Sequence, residues 1–449
     1  MKSHKDPFNV KPREFSLVLA MGLILFGNAL AQQVSGIVAI SGFLGQVGVP
    51  GILVVWSIDV ILIGATTGVQ SLIVDRFNRL KLLRALIFGF IVIFVVLRFM
   101  FTLPVPAWFN YSLLYLVSEQ QWLFFPIVFW TLANDGLSTP QTKRLFPVIA
   151  GFGLIGKLVG IGIAFFSPAV LTSLNLNLED VLLINVLVYV VAFVVALAGL
   201  HQLQLGAAIK RKKERLRDVA SEGFTFIREV PAFRFLAFAI VALFVADTII
   251  EFQFLSVSDR VFNTQERFQV FYSVYQLVLT LASVAVQGLL TTRIIKSMGL
   301  KNIFFIWPAA ALAGGLWMMA FPGIVSAVGG VMLEKLPQFT VDESARKSLQ
   351  SLVPDGIRGR VSIFMDSYLF AAGTLLACAF TGAIILAGGT FYVYLSVAVL
   401  AACIAIFAVY KMRQDYDTSL LHWRLKRRRS RATVVGKLIS DLMVEENSQ

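Results

Sequence analysis

At 449 residues, 57% hydrophobic, 14% charged and with a mean hydropathy of +0.79, the chain is more apolar than a soluble domain, where about half the residues are apolar and a quarter charged. Its apolar residues run in stretches of about twenty or more, the length an α-helix needs to cross ~30 Å of hydrocarbon, so a soluble enzyme, a fibre and a β-barrel are excluded. Formal charge is +13, and in a membrane chain the position of those charges says more than their sum.

The polar, basic start from Met1 to Arg13 leads into an apolar stretch too long for a signal-peptide core and without a small-residue cleavage pattern. It reads as a retained first helix. Twelve spans are expected, over 15–43, 50–73, 83–103, 109–133, 146–168, 180–200, 233–256, 268–291, 303–321, 324–343, 361–387 and 391–410. One long polar connection, 201–232, carries Lys210, Arg211, Lys212, Lys213, Arg215 and Arg217 and divides the spans six and six. The predicted organisation is an all-α membrane protein with a six-helix bundle over 1–200, a basic linker over 201–232, a second bundle over 233–410 and a basic tail over 411–449.

Short-loop bases set orientation because they resist translocation. Arg76, Arg79, Lys81, Arg84, Lys143, Arg144, the linker, Arg293, Lys296, Lys301, Arg346, Lys347, Arg358 and Arg360 fall on one side, against Arg260 and Arg267 on the other. Both termini are therefore expected in the cytoplasm of a multi-pass membrane protein, and the lack of a transit peptide points to a bacterial inner membrane. The tail cluster Arg424, Lys426, Arg427, Arg428, Arg429 and Arg431 suits anionic lipid headgroups at about 1 kcal/mol per charge, or serves as a topological anchor. No nucleic-acid partner is expected. Cys378 and Cys403 lie inside apolar runs, while His4, His201 and His422 lie outside them. That leaves no disulfide framework or metal-ligand spacing, and no metal or cofactor is expected.

Six plus six around a basic linker is the plan of the major facilitator superfamily, whose substrate site lies near the midplane. The loop Asp75-Arg76-Phe77-Asn78-Arg79-Leu80-Lys81 resembles that superfamily's D-R-x-G-R-[RK] motif. An acid followed by bases at a helix end can pair with neighbouring helix ends, so Asp75, Arg76 and Arg79 are candidate gating residues.

An ionisable side chain at the bilayer centre costs ~2.5 to 3.5 kcal/mol on insertion scales, so it needs a partner, a cavity or a function. At ~1.5 Å rise per residue, Glu119 and Lys157 each lie ~16 Å deep. They are expected either as a static salt bridge or as a substrate-anion contact (Lys157) with its gate or proton carrier (Glu119). Asp247, and Glu334 with its neighbour Lys335, reach similar depths. Glu251 shares the face of Asp247 one turn on, and such a pair repels unless one acid is protonated or meets a cation; both are candidate coupling residues, or a polar face lining the outer mouth. Asp59 and Arg98 are expected to pair structurally. Gly156 and Gly160 allow close helix approach or a hinge. Asn28, Gln32 and Gln33 make a polar stripe that either lines a cavity or bonds between helices.

Glu119, Phe129-Trp130-Thr131-Leu132-Ala133-Asn134-Asp135, Lys143-Arg144-Leu145-Phe146-Pro147 and the glycine-rich fifth span resemble the ATP/ADP antiporter family of plastids and intracellular bacteria, with its free-living bacterial relatives. The second part of the chain adds Glu251-Phe252-Gln253-Phe254, similar to the family's D-Y-Q-F, and Glu334-Lys335, Asp342, Pro354, Arg358-Gly359-Arg360 and Asp366, similar to its E-K, D, P, R-x-R and D positions. The resemblance implies a twelve-helix transporter exchanging a small-molecule solute, in the best-known members ATP against ADP, with Glu119 matching the family's acid of helix four. Where those exchangers bear an R-D-x-K-D cluster in helix one, this chain has Gln32-Gln33-Val34-Ser35-Gly36, and Leu255 stands where a base usually follows D-Y-Q-F. A nucleotide needs several bases in its cavity.

No G-x-x-x-x-G-K-[ST] loop occurs, so ATP hydrolysis is not suggested, and no nucleophile and base constellation suggests an enzyme. Glu119, Lys157, Asn28, Gln32, Glu334 and Lys335 are the candidate substrate-binding residues, with energy drawn from exchange or an ion gradient. The alternatives are a major facilitator transporter of a non-nucleotide solute and a non-transporting membrane scaffold or sensor.

Overall fold

The computed structural model describes residues 11–74, 78–200, 216–353 and 355–446. They are helical with no strand among the described residues. The first group comprises α1 (Pro12–Val47), α2 (Val49–Val74), α3 (Arg79–Met100), α4 (Ala107–Gly136), α5 (Thr139–Ser173) and, after a 3-10 turn at Leu178–Val181, α6 (Leu182–Gly199). The second begins at α8 (Pro231–Val261) and continues through α9 (Gln265–Val286), α10 (Thr292–Met298), α11 (Leu300–Ile303), α12 (Ile306–Ala320), α13 (Ile324–Pro337), α14 (Glu343–Gln350), α15 (Asp355–Ile363), α16 (Leu369–Leu386) and α17 (Phe391–Glu446). Three π-helical segments, Gln287–Thr291, Gln338–Asp342 and Phe364–Tyr368, join α9 to α10, α13 to α14 and α15 to α16.

Ten segments among the described residues are long and apolar enough to cross a membrane. The expected spans 109–133 and 324–343 fall on α4 and on α13 with its continuation, which are not among the ten. Both are diluted by polar residues, α4 by Asn110, Glu119, Gln120 and Gln121 and the other by Glu334, Lys335 and Asp342. Large apolar side chains such as Phe88, Val95, Phe99, Leu187, Val194, Phe238, Leu400 and Phe407 are exposed, whereas Asn28, Asp59, Gln121, Asp247 and Glu334 are buried. Polar groups inside and hydrocarbon outside is the distribution a lipid solvent selects.

Two expected regions, the linker and the tail, contain helix. The linker contains a further helix, α7 (Leu216–Glu229), whose Phe226 and Ile227 are buried with Val230 just beyond it and which packs on α15 and α8. The tail expected from 411 is not separate, because α17 continues without a break to Glu446; no Gly or Pro occurs between Phe391 and Val435 to stop it.

α1 is the hub of the first group, packing on α4, α5 and α6, as α8 does on α13, α16 and α17 in the second. The groups meet where α2 packs on α16 and α5 and α1 pack on α9. One residue, Gly48, separates α1 from α2, and its φ of +81° is the conformation that lets the chain reverse so tightly.

Glycine sets the α1–α5 spacing. A Cβ on Gly156 would lie 2.3 Å from the Phe26 carbonyl oxygen, and one on Gly160 would lie 2.6 Å from that of Leu30. The contacts are backbone atoms and cannot swing aside, so these glycines act in close packing. Gly156→Ala is expected to destabilise the folded protein by ~1–3 kcal/mol, seen as a lower thermal midpoint in detergent. Gly162→Ala, where nothing lies within 4 Å, is expected to leave the midpoint unchanged or slightly higher.

Candidate functional site

Helical periodicity puts Asp247 and Glu251 on one face of α8. Between them the structure places the Lys335 ammonium from α13, 2.5 Å from an Asp247 carboxylate oxygen and 2.8 Å from one of Glu251. The repulsion expected of two acids a turn apart is thus relieved by a cation from this same chain. Glu334 is 0% exposed and accepts a hydrogen bond from the Trp307 indole N–H of α12, while Phe339 presents its ring 6.0 Å from the Lys335 Nζ. A buried pair of this kind repays its desolvation only when geometry and extra hydrogen bonds are good.

The expected partnerships in the first group do not form. Glu119 and Lys157 are not joined, because α1 intervenes: Asn28 donates to the Gln121 carbonyl of α4 at 3.3 Å, while two residues earlier, about half a turn round the helix, Phe26 abuts Gly156 of α5. Lys157 makes no hydrogen bond or ion pair among the described residues. Arg98 does not meet Asp59. It lies two residues from the end of α3 and its Nε donates to Asp180 at 2.8 Å. Asp59 is left 4% exposed with its Oδ1 unpartnered. Glu119 instead lies within electrostatic reach of Asp59 and of Glu251.

Asn28 is locked in helix packing rather than presented to a cavity. It is 4% exposed, and its Oδ1 accepts from the Tyr189 hydroxyl at 2.8 Å, which in turn accepts from the Gln121 amide at 2.7 Å. Gln32 is half-buried and accepts from the Gln33 amide at 2.6 Å. Of the gating candidates, Arg79 pairs with Asp135 at the end of α4, whereas Asp75 and Arg76 lie outside the described residues.

A closure that sequence reasoning missed lies at the end of the bundle opposite the linker. Gln269 of α9, 0% exposed, donates to the Ala164 carbonyl and the Ser167 hydroxyl of α5, each at 2.8 Å. Its Oε1 accepts from Ser41 of α1 at 3.3 Å. Nearby, Gln265 donates to the Tyr111 hydroxyl at 3.1 Å, and that hydroxyl donates to Glu179. These bonds tie the two groups together. At the linker end, by contrast, the ion pairs Arg144–Glu14 (2.7 Å), Arg346–Asp366 (3.3 Å), Lys347–Asp366 (2.5 Å) and Lys301–Asp417 (2.8 Å) each join helices of one group. Polar residues in α9 were the only signal in the sequence, and they name no partner.

Comparison with known proteins agrees with this architecture. A family model described as TLC ATP/ADP transporter matches residues 91–335. Among solved structures, the nucleoside transporter NupG is 14% identical, with a TM-score of 0.60 over 89% of this chain and 99% of that one. The peptide transporter PepTSo, of the POT family, is 12% identical, with a TM-score of 0.61 over 92% and 99%. The human organic anion transporter MFSD10 is 15% identical, with a TM-score of 0.59 over 90% and 100%. At such identities the likeness is one of fold, that of the major facilitator-like transporters. No curated protein matches by sequence.

Two outcomes follow from the geometry. Lys335→Met leaves Asp247 and Glu251 facing each other, and removing one partner of a buried pair costs about 3–5 kcal/mol; folded yield on size-exclusion chromatography should collapse, and adding Asp247→Asn with Glu251→Gln should restore much of it. Gln269→Leu removes the α9 bonds to α1 and α5, at roughly 1 kcal/mol. Spin-label distances across that end should then show an open population raised about fivefold.

Proposed function

The chain belongs to the TLC ATP/ADP transporter family, and from that premise we propose that this membrane transporter is a secondary carrier of the major facilitator type, working by alternating access. In this reading twelve spans form two six-helix halves, 1–200 and 233–410, and both termini lie on the cytoplasmic side of a cell inner membrane. The linker end is then cytoplasmic, and the Gln265 and Gln269 contacts shut the outer side. The bases at 424–431 rest against anionic headgroups.

The observation that carries the substrate reading is the charge left over at the centre. Asp59, Glu119, Asp247, Glu251 and Glu334 outnumber the bases Lys157 and Lys335, and Lys335 is committed to Asp247 and Glu251. Lys157 is the one of those two bases that no acid holds among the described residues. We assign to it the single anionic group of an organic solute, with Gln32 supplying a hydrogen bond and exchange or an ion gradient supplying energy. A di- or triphosphate would bring several negative charges to a centre already rich in carboxylates, and each needs a base. Nucleotide antiport is the second reading, favoured by the family match over 91–335.

Proteoliposome uptake tests both. Labelled monoanionic organic solutes should exchange, and Lys157→Ala should cut that uptake about 10- to 100-fold, the worth of one charge-assisted hydrogen bond. Lys157→Arg should retain most of it. Counter-exchange of labelled ATP and ADP that disappears in Lys157→Ala would instead establish the nucleotide antiporter.

A further inference from the structure

Asp59 of α2 is 4% exposed, its Oδ1 has no hydrogen-bond partner, and the arginine that the sequence offers it is bound to Asp180. The side chain belongs to an acidic constellation that spans both helix groups. Glu119 of α4 feels the charges of Asp59 and of Glu251 of α8, and Tyr115, one turn before Glu119, feels all three together with Tyr272 of α9. Neither Asp59 nor Glu119 has an ion-pair partner among the described residues.

Every helix packed on α2 bears on this balance. From α4 come Glu119 and Tyr115, and from α8 comes Glu251, whose carboxylate is held by Lys335. From α16 comes Cys378, engaged with Ser57. The ionisable groups of α1 are Arg13 and Glu14 at its start. Asp366, on the π segment before α16, is taken by Arg346 and Lys347, and α7 meets α2 with a helix whose ionisable residues are Arg217, Asp218, Glu222, Arg228 and Glu229. Among the anionic residues of these neighbours, Glu14, Glu251 and Asp366 are engaged by bases; among the described residues, Asp59 and Glu119 are engaged by none.

Like charges in a desolvated site cannot both ionise without a compensating positive charge. We propose that Asp59 and Glu119 bind one proton between them and that this shared proton is the carrier's coupling ion. Binding is simple protonation: a carboxylate oxygen takes H⁺ from water and gives it back to water, and no electrons move. Glu251 lies in the other helix group, so a rocking motion that carries α8 away from α4 changes the field on the pair and with it the hold on the proton. The coupling role rests on the transporter reading above, whereas the protonation does not.

The test needs no solute, so its failure is distinguishable from a failure of that reading. Infrared spectra of the purified full-length chain in lipid nanodiscs are recorded from acidic to alkaline pH, in choline and in sodium salts. At neutral pH we expect a protonated-carboxyl band that vanishes on alkalinisation and is indifferent to sodium. One carboxyl's share of that band should be lost in Asp59→Asn and equally in Glu119→Gln, since removing either acid lets the other ionise. A share lost in one variant alone means a private proton, and no loss in either means that the pair holds none; both overturn the proposal. Displacement of the wild-type band by sodium at neutral pH, a reading that needs no variant to fold, would assign the site to a metal cation instead and would also overturn it.

Discussion

A charge carried into hydrocarbon must meet an opposite charge, a proton or a solute, and that demand decides which helices of this chain come together. Lys335 binds α13 to α8 through Asp247 and Glu251, and Glu334 binds it to α12 through Trp307. Arg98 ties α3 to the 3-10 turn before α6. What these pairings leave over is as informative as what they consume: an ammonium at Lys157 on one side of α1, and carboxylates at Asp59 and Glu119 on the other. Groups that a folding chain has every energetic reason to neutralise are the ones a carrier can use.

The remaining contacts divide between rigid and breakable. Gly156 and Gly160 hold α1 against α5 backbone to backbone, a fit that moves only as a unit. The closure between groups depends on neutral hydrogen bonds from Gln265 and Gln269, each of which contributes little in a membrane. Close packing within a group, with neutral hydrogen bonds closing one end between groups, suits rigid-body rocking.

The sequence discloses the helices well and their partners poorly. Spans such as 15–43 and 233–256 fall inside α1 and α8, because a run of apolar residues is a one-dimensional signal. The helix at Leu216–Glu229 was hidden, since its buried Phe226 and Ile227 are a minority among charges. The three π segments leave no sequence mark at all, although two of them carry the Asp342 and Asp366 that hold Arg346. Depth counted from the nearest loop is only one coordinate of three. It placed Glu119 and Lys157 at one level but could not show α1 between them, and it could not choose Asp180 over Asp59 as the partner of Arg98. The i, i+4 relation of Asp247 and Glu251 was legible, as was their need for a cation; that Lys335 supplies it required the fold.

In the reading we propose, the core of this transporter has room for one negative charge and not for several. Ligand-induced thermal stabilisation of the purified protein, across a series in which one organic scaffold bears zero, one, two or three phosphate groups, tests it most directly. Protection greatest for the singly charged member and falling with each added phosphate is the predicted result. Protection that rises steadily to the triphosphate would contradict the account and return the chain to the nucleotide exchangers.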